Sequence, residues 1–208
     1  MNLPPNHFSF EANCYDSLRR GFGDRGYDLT KAFSDRKTRH RHNNGLEEEI
    51  WILRRYLFTL ASENILNYPL SLQNHESPDF IGTYQGLLGT FGGRYRHGAS
   101  GGPNTRSHTP ERDLTADVLA ALIRKRKKIK KHYKPTTKID VVIYANSNAQ
   151  RLTYETDYVK ILQRKIAQWH QYIFFNKAVR NIAILKEETL ILFDRCKDAK
   201  ILNLRATI

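Results

Sequence analysis

The chain has 208 residues, with 34 Lys and Arg against 21 Asp and Glu, which leaves a net charge of +13 and a pI near 9.8. That length supports one substantial core with at most a small appendage, and 40% hydrophobic residues is more than disordered chains carry. No apolar run approaches the ~20 residues of a membrane span, Met1–Phe10 lacks the apolar centre of a signal peptide, and Cys14 and Cys196 show no metal-ligand spacing, so free thiols and a cytoplasmic setting are expected.

Residues 1–44 are rich in Gly, Asp, Arg and Asn with aromatics dispersed among them. They read as a basic, partly flexible arm that packs locally against a single α/β domain over 45–208. A first basic cluster, Arg36–His42, closes the arm. Asn43 and Asn44 then offer an N-cap, and Glu47, Glu48 and Glu49 fill a first turn where the helix dipole favours acids. Leu46, Ile50, Leu53, Leu57 and Leu60 recur at helical spacing, which predicts a helix from about Leu46 to about Leu66 with one buried face.

Pro78–Tyr84 reads as a strand with Pro at its first residue, turning through Gln85-Gly86 into a second strand, Leu87–Phe91. Gly92–Thr109 has no apolar period and reads as a mobile basic loop carrying Arg94, Tyr95 and Arg96. Thr109-Pro110-Glu111 is a helix start, with Thr as cap and Pro at the first helical position. The helix that follows buries Leu114, Val118, Leu119, Leu122, Ile123 and Ile129 and stops before Pro135. Lys138–Tyr144 is a β-branched run and the best central strand. Tyr154–Phe174 has helical spacing through Val159, Leu162, Ile166, Trp169 and Ile173, and Val179–Leu185 with Leu190–Phe193 forms a closing hairpin. This order predicts a mixed, curved β-sheet flanked by helices.

The densest chemical signal is Arg124–Lys134, which packs eight Lys or Arg into eleven residues without one acid. A helix C-terminus gains a few tenths of a kcal/mol from two or three such cations; eight exceed that need, and their self-repulsion points to a polyanionic partner. On a helix, Lys127, Lys130, Lys131 and Lys134 share a face, with Arg124 and Lys128 beside them. Tyr95, between Arg94 and Arg96, is the aromatic best placed for base stacking. Asp140 inside its apolar strand is expected to face solvent or to pair with a Lys at the strand end; if buried, it becomes a site candidate.

There is no phosphate-binding loop, Rossmann fingerprint, nucleophile elbow or zinc spacing. One constellation remains: a helix opening with glutamates, Pro78-Asp79 entering a hairpin, a second helix and a strand. It resembles the core of the PD-(D/E)XK nuclease-like superfamily, an α-β-β-β-α-β unit with a restriction-endonuclease-like sheet. The resemblance spans residues 45–195 in outline and implies that Asp79 and the helix acid Glu49 hold Mg²⁺. Such an ion polarises the scissile phosphate and supplies hydroxide near neutral pH, while a cation neutralises developing charge. The family's second acid, on the next strand, has no counterpart in Leu88–Arg94. Three readings stay open: Glu111 or Asp113 supplies the acid with Lys125 or Lys128 as the cation; an inactive relative binds nucleic acid; or Pro78-Asp79 simply opens a strand. The expected function is nucleic-acid binding, DNA or RNA, with metal-dependent phosphodiester cleavage as its extension. The contrasting expectation is a non-enzymatic protein whose basic helix docks an acidic protein partner, and membrane docking is not expected.

Overall fold

The computed structural model describes residues 7–25, 44–74, 80–84, 87–96, 114–132, 138–145, 160–161, 163–165, 168, 179–186, 189–194 and 199–203. The Arg36–His42 cluster, Pro78-Asp79, the Thr109-Pro110-Glu111 start, Asp113, Lys134 and Cys196 lie outside them. Among the described residues eight strands form one open sheet in chain order: β1 (Ser9–Ala12), β2 (Leu70–Asn74), β3 (Phe80–Tyr84), β4 (Leu87–Arg96), β5 (Lys138–Ala145), β6 (Val179–Lys186), β7 (Thr189–Asp194) and β8 (Lys200–Asn203). Helix α1 (Tyr15–Phe22) follows β1, α2 (Asn44–Ser62) precedes β2, and α3 (Leu114–His132) joins β4 to β5. Neighbouring strands are antiparallel except for the central trio β4, β5 and β6, which run parallel. The protein is therefore a mixed α/β molecule with helices laid on a sheet.

Alternation along β5 sorts the two faces. Val142 packs in the layer that contains α2, while Ile139, Val141 and Ile143 pack in the layer that contains α3. Successive strand side chains point to opposite sides, so the sheet separates α2 from α3. Both predicted hairpins form: Tyr84 pairs with Leu87, and Lys186 pairs with Thr189.

The helix expected to have one buried face is instead buried nearly all round. Ile50–Leu57 is enclosed except at Arg55, and Phe58, Thr59 and Leu60 are buried as well. The cause is the N-terminal segment, which covers the side of α2 turned away from the sheet. Phe22 of α1 meets Phe58 with ring centres 5.5 Å apart, and the buried Arg54 donates from Nη1 to the carbonyls of Gly23 (3.1 Å) and Arg25 (3.0 Å). Residues 8–22 thus do more than lean on the core, since β1 pairs with β2 and Phe8, Ala12, Leu18 and Phe22 are core residues. The helix ends at Ser62 rather than near Leu66 because Asn64 adopts positive φ (54°), while the Ile65 and Leu66 N–H groups return to the Leu60 carbonyl. That left-handed stop satisfies carbonyls that the helix leaves open.

The segment Gly92–Arg96, expected within a loop, is the second half of β4. Its register runs from Gly92 opposite Val141 to Arg96 opposite Ala145. The parallel neighbour supplies the hydrogen bonds that hold a glycine-rich strand extended, and no local sequence pattern reports them.

Candidate nucleic-acid interface

Helix α3 owes its position to Val118, Leu122 and Ile129, which are buried in the layer with Ile139, Val141 and Ile143. With this stripe fixed on the sheet, a 100° step per residue carries Lys127, Lys130 and Lys131 to the opposite side. All three are exposed. Arg124, Lys125 and Arg126 are half-buried at the flanks, where long stems cover apolar surface. The expected ladder therefore survives as a three-lysine face, with Arg124 at its edge rather than within it. The Lys128 side chain and Lys134 lie outside the described residues.

Arg94, Tyr95 and Arg96 do not sit on a loop; their backbone is in register with Ile143, Tyr144 and Ala145. Tyr144 is half-buried and meets Trp51 of α2 edge-on at 4.8 Å, and the Arg55 guanidinium lies 4.7 Å over the Trp51 ring.

Of the expected catalytic residues, Glu49 and Lys125 are described. Glu49 is half-buried near the start of α2, whereas Lys125 is on α3, across the sheet. Asp79 and Glu111 lie outside the described residues. Among the described residues no group of three or more His, Cys, Asp or Glu is assembled as metal ligands.

Asp140 departs most from expectation. It is wholly buried, and its carboxylate accepts hydrogen bonds from four donors: Arg180 Nε at 2.8 Å, Arg180 Nη2 at 2.6 Å, Asn181 Nδ2 at 3.0 Å and the Tyr56 hydroxyl at 3.1 Å. The arrangement depends on a β-bulge. Ile139 pairs with Val179 but Asp140 with Asn181, which leaves Arg180 as the extra residue. In a regular strand Arg180 and Asn181 would face opposite ways; the bulge lets both reach one carboxylate. Both oxygens are filled by protein donors, so a metal would have to displace Arg180. Asp140 thus joins α2, β5 and β6.

Cys14 shows a second local device. Its N–H (3.0 Å) and that of Asn13 (2.7 Å) donate to Ser17 Oγ, which closes the N-terminus of α1 as a capping box. The Ser17 hydroxyl beside the exposed thiol holds its pKa below the ordinary value. Across from it, burial pushes the Tyr68 phenol up, reinforced by the charges of Cys14 and Tyr15.

Among the described residues no helix is long and apolar enough to cross a membrane. Comparison with protein-family models, with curated proteins and with solved structures finds no match to this chain.

Proposed function

We propose that this protein binds nucleic acid through the exposed lysine face of α3, with the backbone phosphates as its principal contacts. The observation that carries the reading is the division of α3 into an apolar stripe seated on the sheet and an opposite face bearing Lys127, Lys130 and Lys131. A solvated helix end needs fewer cations, and phosphate neutralisation accounts for the surplus. The contacts proposed are to phosphates, which carry no base sequence, so binding is sequence-tolerant.

The scaffold supports the nuclease-like part of this reading. The run α2–β2–β3–β4–α3–β5 follows the α-β-β-β-α-β order of the PD-(D/E)XK core, with a three-strand antiparallel meander and a parallel fourth strand. If Mg²⁺ is used, Asp79 and Glu49 are the residues to hold it, and the ion would supply the hydroxide and polarise the phosphate. Lys125 is the cation the reading offers to neutralise the developing charge.

The test pairs binding with cleavage on duplex DNA, single-stranded DNA and RNA, with Mg²⁺ or Mn²⁺. Lys127, Lys130 and Lys131 changed together to Ala should weaken binding to every sequence and lower the log–log salt slope by roughly three. Unchanged affinity for all three probes sinks the nucleic-acid reading. Metal-dependent cleavage that Asp79→Asn abolishes establishes a nuclease; binding without cleavage in both proteins identifies a silent relative of that fold.

A further inference from the structure

Two exposed basic segments flank β5 in sequence: α3 before it, and the helical residues Lys160, Ile161, Gln163, Arg164, Lys165 and Gln168 after it. Each belongs to a crossover between parallel neighbours, β4 to β5 and then β5 to β6, and both crossovers step the same way across the sheet. Parallel crossovers are right-handed in about 98% of cases. Two right-handed crossovers stepping in one direction put their helices on one face, and by that rule the second segment belongs to the α3 face. Burial points the same way. On the α3 face Ile182, Ile184 and Ile191 are shut from solvent, although α3 itself packs against β5. Something beyond α3 covers β6 and β7 there.

The described crossover residues show a polar outer side. Lys160, Ile161, Arg164, Lys165 and Gln168 are all exposed while Gln163 is half-buried, as the apolar spacing of Val159, Leu162, Ile166 and Trp169 requires. Neighbouring helices pack about 8–10 Å apart. The face therefore carries two rows of cations: Lys127, Lys130 and Lys131 on one helix, Lys160, Arg164 and Lys165 on the other.

Resting on the nucleic-acid reading above, we infer that these two rows form one composite surface for a duplex, each row meeting one of the two phosphate strands that border a groove. A major groove about 12 Å wide sets its phosphate rows at a separation that side chains splaying from helices ~10 Å apart can span. A single strand offers one phosphate row and leaves the other cations unmatched.

The experiment measures anisotropy of a fluorescent DNA duplex of about 20 bp, roughly two helical turns, and of a single strand of equal length, over a salt series. The proteins are the full chain, Lys127/Lys130/Lys131→Ala, and Lys160/Arg164/Lys165→Ala, each checked for an unchanged thermal midpoint. Both triples should weaken duplex binding on the order of tenfold or more and lower the salt slope by about two to three. Either should also abolish the preference for duplex over single strand. An effect confined to one triple overturns the two-row surface but leaves nucleic-acid binding intact. No effect from either triple, or tighter binding to polyglutamate or to phosphatidylserine vesicles, overturns the nucleic-acid reading itself.

Discussion

A carboxylate removed from water is costly, and such a group is more often a source of specificity than of net stability. At Asp140 the cost is offset by four donors from one strand and a helix, so the group acts as a junction that fixes the bulge and the approach of α2. Asp140→Ala removes the shared acceptor of the part-exposed Arg180 guanidinium, Asn181 and the Tyr56 hydroxyl, and should lower unfolding stability by about 2–4 kcal/mol, less than a fully buried pair because water reaches Arg180. Tyr56→Phe removes one bond to the charged group and should cost about 1.5–3 kcal/mol. Urea unfolding followed by far-UV circular dichroism checks both. Equal midpoints for Asp140→Ala and the unaltered chain would show that the network contributes nothing to the fold. Asp140 was not legible in the sequence as a buried acid, because the signal resides in a bulge 40 residues downstream that no local pattern marks.

At the scale of elements, the long periodic segments were the legible ones. The helices over 44–62 and 114–132, the strand 138–145 and both tight hairpins have period and turn chemistry that agree with their tertiary setting. The short elements were not. β1, β2 and β8 are four or five residues each, too brief for alternation to stand out, and α1 has only Leu18 and Phe22 as buried anchors. What secures α1 is close packing that composition does not reveal. Gly21 lies against the Phe10 ring, and a Cβ there would run into it; Phe10 in turn packs edge-on to Phe22 at 5.1 Å and to Phe8 at 5.5 Å. In an open helix interior Gly→Ala stabilises by up to ~1 kcal/mol. Here the sign reverses. Gly21→Ala should destabilise by about 1–3 kcal/mol through overpacking, and its double variant with Phe10→Leu should recover part of that loss because the obstructing ring is gone. A thermal midpoint that rises in the single variant would show that the Phe10 ring yields freely.

For the whole molecule, the question is whether the first 25 residues are an appendage or part of the cooperative unit. Phe8, Leu18 and Phe22 are each no more than 5% exposed. Full burial of such side chains contributes roughly 1.5–3 kcal/mol apiece, so about 5–9 kcal/mol together. Typical domains have only about 5–15 kcal/mol in total. Their removal would also expose the outer side of α2, including Phe58, leave β2 as a bare sheet edge, and strip Arg54 of the Gly23 and Arg25 carbonyls it binds. The sum reaches the stability of the entire fold, so a chain starting at residue 26 should lose its cooperative thermal transition and bind a hydrophobic dye. Far-UV circular dichroism on heating and anilinonaphthalene sulfonate fluorescence read this directly. A truncated chain that still unfolds cooperatively, within a few degrees of the full one, would show that the sheet from β2 to β8 is self-sufficient and that β1 and α1 only decorate it.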